Sequence, residues 1–488
     1  MITETEEVDI EDVESVLSED DEDDDDNTLD SASQEWISIF ENISDDDICD
    51  MEEHVNEYIY DCLTSMKLQM SLPDFYNTFI NEISQNILEE WTAAGICHPE
   101  CNEQHFEEIV ELVDRLATSH FEMCKIPLRQ EPTIDEIAMT PNEILSKLSK
   151  VKAINDAQAK QRTVEWYESR YNLLTASNLW KVFASPAQYN SLIYEKCKPF
   201  EIQERHRSAV SVDSNSTLQH GIRYEPLSIL LYEREYNTRV SDVGCIPHPE
   251  YSYIGASPDG ILMDPAYPRY GRMIEVKNIV NREITGVPLE HYWIKMQLQM
   301  EVCDLDECDF IETRFQPLEH IEDLPDDDRQ KGMILYFYPR TMVGETDTTD
   351  VSPEYAYLPL EIAPQSDEAG EWIRTQTAEH PRHILYKKSY WVLDQFSCVL
   401  VRRNREWFRE ALPKIEEAWN TILAERETGY EHRATYTTGT AAAKKLKFQP
   451  EVVCSDTTTT HYIRNMPLSN TICLVKLGGG TNGSPQPP

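Results

Sequence analysis

No lysine or arginine occurs before Lys67, although residues 1–66 hold 26 aspartates and glutamates. The basic surplus that ordinarily binds phosphate backbones is therefore missing, and the whole chain carries a formal net charge of −46. Because 26 of those excess charges sit in the first stretch, about −20 remains for the rest. Nonspecific electrostatic binding of nucleic acid is thus not a property the overall charge supports. Long apolar runs are also missing, since none approaches the ~20 residues needed to cross a bilayer. The 12 cysteines are scattered singly, and no apolar stretch follows a basic N-terminal region. This predicts neither a disulfide framework nor a secretory leader, and a reducing intracellular compartment.

The 488 residues suffice for roughly two or three domains. Residues 1–35 include eight consecutive carboxylates from Glu19 to Asp26, which repel one another and cannot bury apolar surface. They predict a disordered acidic tail, with a DNA mimic or a lure for basic proteins as the functional alternative. Residues 36–150 place apolar side chains at helical spacing, for example Ile80, Ile83, Ile87, Leu88 and Trp91, which predicts a helical region. Within it, Cys97 and Cys101 with His120 and Cys124 offer zinc-like spacing, although such pairs are also simply neighbours on helices.

From 160 to 428 strands alternate with helices, predicting an α/β domain. Strands are expected near Val243–Ile246, Tyr253–Ala256, Met273–Lys277, Asp309–Arg314 and Met333–Tyr338, with a helix over Leu289–Cys303. A second helix, over Asn404–Glu427, is expected to kink or split at Pro413. Residues 429–488, rich in Thr, Gly and Pro, predict a flexible tail. It contains Lys444-Lys445-Leu446-Lys447, a cluster too short to establish a nuclear import signal.

The residues that carry chemistry lie in Gly255-Ala256-Ser257-Pro258-Asp259-Gly260-Ile261 and Ile274-Glu275-Val276-Lys277. Side chains two apart on a strand share a face, so Glu275 and Lys277 project together while Ile274 and Val276 face the core. Asp259 reaches the same point if the two strands pair. Two carboxylates suit a hard divalent cation, and a lysine beside them can orient or deprotonate water or stabilise developing charge. Upstream, Gly221-Ile222-Arg223-Tyr224-Glu225-Pro226 precedes an apolar run from Leu227 to Tyr232. Glu225 is either a further ligand or a first-turn acid of a helix starting near Pro226. Downstream, Gln297 and Gln299 alternate on a helix, so only one of them can easily face the site.

Taken in order, G-x-x-x-E-P, G-A-S-P-D-G-I, I-E-V-K and Q-x-Q closely resemble the YqaJ-like viral recombinases, lambda-exonuclease-like members of the PD-(D/E)XK nuclease superfamily. The resemblance covers roughly Val164 to Arg314, more loosely to Trp419. It implies a restriction-endonuclease-like core, with a central mixed β-sheet flanked by helices behind a helical N-terminal region. It further implies Mg²⁺-dependent degradation of duplex DNA from its ends, with Mn²⁺ as a substitute ion, leaving single-stranded overhangs for recombination, replication or repair in an infected host cell. Metal ligands then map onto Glu225, Asp259 and Glu275, the catalytic lysine onto Lys277, and an assisting glutamine onto Gln297 or Gln299. Arg170 and Ser177, in Trp166-Tyr167-Glu168-Ser169-Arg170 and Leu174-Thr175-Ala176-Ser177, look like the family's grip on a terminal phosphate. Expected partners are DNA ends, a single-strand annealing protein and further copies of the chain, with no membrane. An enzyme also acting on RNA and a silent acidic scaffold are the alternatives. The acidic tail and the lack of a concentrated basic groove depart from the family and argue against ring-like processive action.

Overall fold

The computed structural model describes residues 38–41, 43–127, 129, 140–158, 163–199, 217–340 and 353–434. The acidic stretch 1–35 and the Lys444–Lys447 cluster lie outside these residues. Three long helices come first: α1 (Asp45–Met66), α2 (Phe75–Ala93) and α3 (Asn102–Cys124). On α2 the apolar positions Ile80, Ile83, Ile87, Leu88 and Trp91 are all buried, because spacings of three and four return a side chain to the same helix face. They share one core with Val55 and Ile59 of α1 and with Ile109 and Val113 of α3.

The zinc-like spacing does not survive folding. Cys101 immediately precedes α3 while His120 and Cys124 occupy its last turns, and a helical rise of ~1.5 Å per residue separates the two pairs by roughly 30 Å. Among the described residues no metal-binding cluster forms, and Cys124 Sγ contacts His120 Nε2 at 3.6 Å.

Next come α4 (Pro141–Asp156), α5 (Val164–Tyr171), β1 (Leu174–Thr175), α6 (Ala176–Leu179), α7 (Pro186–Cys197) and α8 (Thr217–Glu235). Thr140 and Glu143 form a reciprocal capping box at the start of α4, satisfying amides that have no partner inside the helix. Helix α8 begins at Thr217 and runs through Pro226. Glu225 therefore lies inside the helix, which corrects the expectation of a start near Pro226 and removes the first-turn explanation for this acid.

Strands β2 (Ile246–Pro247), β3 (Ile254–Ala256), β4 (Gly260–Ile261) and β5 (Met273–Asn278) lead into α9 (Glu290–Cys303). They are followed by β6 (Glu307–Leu318), β7 (Lys331–Pro339), β8 (Glu354–Tyr357), α10 (Asp367–Glu379), β9 (His383–Arg402) and α11 (Arg405–Thr428). Helix α11 is continuous across Pro413, so the expected split does not occur. Its buried face, carrying Trp407, Phe408, Ala411, Ile415, Ala418 and Ile422, packs on both sides of the proline.

Six strands form a mixed sheet in the order β4-β5-β6-β9-β7-β8, in which only β5 and β6 are parallel. A smaller sheet, β1-β3-β2, pairs β1 parallel and β2 antiparallel to β3. The expected mixed α/β architecture, with helices flanking a central sheet behind a helical N-terminal region, is the one the chain adopts. Ile274 and Val276 of β5 pack with Tyr232 of α8 and Ile311 of β6, whereas Met273 joins Met296 and Met300 of α9 on the other side. Glu275 therefore points toward α9, into the main core. None of the helices among the described residues is long and apolar enough to cross a membrane.

Candidate functional site

The turn between β3 and β4 and the end of β5 place the central residues. Gly260 and Ile261 pair antiparallel with Ile274 and Met273, which sets Asp259 opposite Glu275. The close approach needs glycine at 260, where a Cβ would meet Val240 Cγ1 at 2.2 Å and Ile274 behind it. Asp259 Oδ2 accepts a hydrogen bond from the amide of Val276 at 2.8 Å, fixing the turn to the strand.

Glu275 is fully buried, and a carboxylate so placed must find partners for its oxygens. Its Oε1 accepts from the ammonium groups of both Lys277 and Lys295. Its Oε2 accepts from Gln299 Nε2 at 2.9 Å, an amide that also donates to the Ser257 carbonyl at 3.1 Å. Lys277 Nζ donates to the Val276 carbonyl at 2.8 Å, lies 3.8 Å from Asp259 and sits over the Tyr292 ring at 5.3 Å. Lys295 Nζ lies 3.5 Å from Asp259 Oδ1.

The structure thus brings Asp259, Glu275, Lys277 and Gln299 together and separates Gln297 from them. Successive positions on a helix are rotated by about 100°, so residues two apart face nearly opposite ways. Gln297 accordingly turns to the start of α11, where Nε2 donates to the Arg402 carbonyl at 2.9 Å and Oε1 accepts from the Asn404 amide at 2.6 Å. Gln297 joins two elements, and its place among the catalytic residues is withdrawn.

Lys295 was not singled out from the sequence. The available signal was its spacing of four from Gln299, which puts both on one face of α9.

Arg170, at the end of α5, donates to Ser257 Oγ at 3.1 Å and stacks over Trp166 at 4.8 Å. It thereby touches the turn that carries Asp259. Ser177 is exposed on the short helix α6, which starts beside Gly255 through the Thr175–Gly255 register. No hydrogen bond joins Ser177 to Arg170 among the described residues.

The electrostatics follow from burial and proximity. Burial raises the Glu275 carboxyl, but Lys277 and Lys295 outweigh it and hold the group well below its ordinary range. Asp259 moves the other way, raised by burial and by the negative charge of Glu275 against the pull of the lysines. Burial opposes the charged form of Lys277, yet Glu275 and Asp259 overcome it and raise its pKa, so the ammonium is held protonated. Glu225 is pushed up to about 7, by burial first and then by Asp259, which brings the α8 acid into the same electrostatic cluster.

Glu225 yields a pH prediction. Its folded pKa lies above the ordinary 4.5, so its contribution is complete below pH 4.5 and is lost as pH rises through about 7. The metal-free protein should lose about 3 kcal/mol of stability from this group between roughly pH 4 and 7.5. Urea unfolding in EDTA across that range should show the loss in wild type and a flatter profile in Glu225→Gln. Equal slopes would contradict the assignment.

Crowded carboxylates on hard oxygen donors fit a divalent cation by chemistry and charge. Among the described residues, however, no three His, Cys, Asp or Glu side chains are gathered into a metal cage. The lysine ammoniums lie on the carboxylates instead.

Residues 165–306 match the YqaJ-like viral recombinase domain, and the four residues gathered around Glu275 fall inside this stretch. The central part of the chain is therefore similar to that domain. An uncharacterized protein of Acanthamoeba polyphaga mimivirus is 25% identical over 315 residues, covering 58% of this chain and 55% of that protein. The chain thus spans about half the length of the curated relative it matches. Among solved structures, an alkaline exonuclease from Laribacter hongkongensis aligns at 21% identity over 58% of this chain and 100% of its own, with a TM-score of 0.30. A phage-related exonuclease from Haemophilus somnus aligns at 14% identity over 54% and 96%, with a TM-score of 0.26.

Proposed function

We propose that the chain is a divalent-metal-dependent exonuclease that degrades linear duplex DNA from its ends and leaves single-stranded overhangs for viral recombination, replication or repair. The observation that carries this reading is the joining of Asp259, Glu275, Lys277 and Gln299 at one buried point within the YqaJ-like stretch. Asp259 and Glu275, with Glu225 from α8, would hold the cation. Mg²⁺ is the ion these oxygen donors suit, with Mn²⁺ as a substitute, and it would supply Lewis-acid stabilisation of charge on the scissile phosphate.

Lys277 remains charged because two carboxylates hold its proton. Of the roles open to it, stabilising negative charge in the transition state is therefore favoured over proton abstraction. Gln299 fixes the orientation of Glu275 and ties it to the Ser257 carbonyl. Arg170, which donates to Ser257 of that turn, has a planar fork suited to a terminal phosphate, and Ser177, exposed on α6, would add a hydroxyl. A single-strand annealing protein and further copies of the chain are the partners this reading expects.

Purified protein with Mg²⁺ should degrade 5′-phosphorylated duplex ends faster than 5′-hydroxyl ends, and Arg170→Ala should erase the difference by slowing the phosphorylated substrate at least ~10-fold. Equal rates on both ends in wild type would remove the phosphate grip, and faster cleavage of a matched RNA duplex would reassign the substrate.

A further inference from the structure

We propose that Lys295 is a resident counter-cation for the Asp259–Glu275 pair, which a divalent metal must displace in order to bind. The idea rests on the metal-site reading above and extends it to how the site is held together without metal.

Three observations support it. The first is redundancy. Glu275 already has an ammonium from its own strand in Lys277, yet a second one arrives from α9 and contacts the same oxygen. Lys295 also spans to Asp259 Oδ1 at 3.5 Å, so it is the charge that bridges the two acids from the helix side. The second is balance: two lysines already face the Asp259–Glu275 pair, and even with Glu225 counted as a third acid the set is close to neutral. A divalent cation added to that set would leave an excess of positive charge in a buried place, so one ammonium has to withdraw. The third is a difference in tethering. Lys277 is tethered to the Val276 carbonyl and lies over Tyr292, whereas the contacts of the Lys295 ammonium are with the two acids. A lysine is a point charge on a flexible four-carbon stem and can leave a carboxylate without moving the backbone.

Two cations that exclude one another from the same oxygens are negatively coupled, and the coupling is reciprocal. The test uses the full chain and three proteins: wild type, Lys295→Met and Lys295→Arg. Thermal unfolding in EDTA and in saturating Mn²⁺ is read alongside Mn²⁺ binding by calorimetry. Lys295→Met should melt several degrees below wild type in EDTA and converge on it in Mn²⁺. It should also bind Mn²⁺ about tenfold more tightly than wild type. Lys295→Arg should restore melting in EDTA. If Lys295→Met does not fold, Lys295→Gln, which keeps a hydrogen-bond donor, takes its place.

Equal melting of Lys295→Met and wild type in EDTA would overturn the proposal. So would a gap that Mn²⁺ leaves unchanged, which marks a lysine serving the fold alone. Failure of the metal-site reading has a different signature: wild type itself would show neither Mn²⁺ binding nor a Mn²⁺-dependent shift, and the exchange would fall with it.

Discussion

Glu275→Gln should abolish metal-dependent nuclease activity, with a loss of at least ~10³-fold, because it removes the charge at the centre of the cluster while keeping its shape. The wild-type carboxylate is fully buried and accepts from Lys277, Lys295 and Gln299. Neutralising it leaves two ammoniums facing Asp259 alone, and removing one partner of a buried ion pair ordinarily costs about 3–5 kcal/mol. Its depressed pKa sets the sign of the pH effect. The stabilisation is present above the ordinary carboxylate value and is lost as pH falls through the depressed one. Urea unfolding near pH 7 should therefore show the variant less stable yet folded by circular dichroism, with the gap narrowing in acid. Activity within a few-fold of wild type would remove Glu275 from the reaction.

For Asp259→Asn the two effects should part company. Activity should fall by roughly 10²–10³-fold, since a charged oxygen donor is lost, but metal-free stability should equal or exceed that of wild type. The reason is the direction of the Asp259 shift: burial and the neighbouring Glu275 raise its pKa despite the lysines, so a negative charge there is less favourable in the folded chain than in water. Asparagine is neutral, and its carbonyl oxygen can still accept from the Val276 amide, the bond that anchors the turn. A decrease in unfolding free energy beyond about 1 kcal/mol, the usual worth of one hydrogen bond, would contradict this account. Glu275 and Asp259, chemically alike and adjacent, should thus respond with opposite signs in stability and the same sign in activity.

The site was legible where a local period settled direction. On β5 the alternation Ile274, Glu275, Val276, Lys277 sorted two side chains to each face, and the pairing of β4 with β5 carried Asp259 to its place. Gln297 and Gln299 could be separated in principle by the helical rotation, but which one faced the site depended on where α9 packed. Lys295 stayed hidden because a lysine on a helix is ordinarily a solvated charge, and only the tertiary contact with Glu275 shows otherwise. Glu225 looked like a helix-start acid because the stretch before Pro226 gives no strong helical signal, whereas α8 runs through it.

The largest omission in the fold was β9, 20 residues long. Lys387, Lys388, Asp394 and Gln395 interrupt its apolar pattern, and pairing with β6 on one side and β7 on the other holds it in the sheet. Those partners lie 44–95 residues upstream in the β6 and β7 registers, beyond the reach of any local pattern.

The most direct test of the account is digestion of end-labelled linear duplex DNA and a covalently closed circle of the same sequence by wild type and Glu275→Gln, in Mg²⁺ and in EDTA. Wild type in Mg²⁺ should consume the linear DNA and spare the circle, and the linear DNA should persist in EDTA and with Glu275→Gln. A circle cut as fast as the linear DNA, or digestion by Glu275→Gln at the wild-type rate, would contradict it.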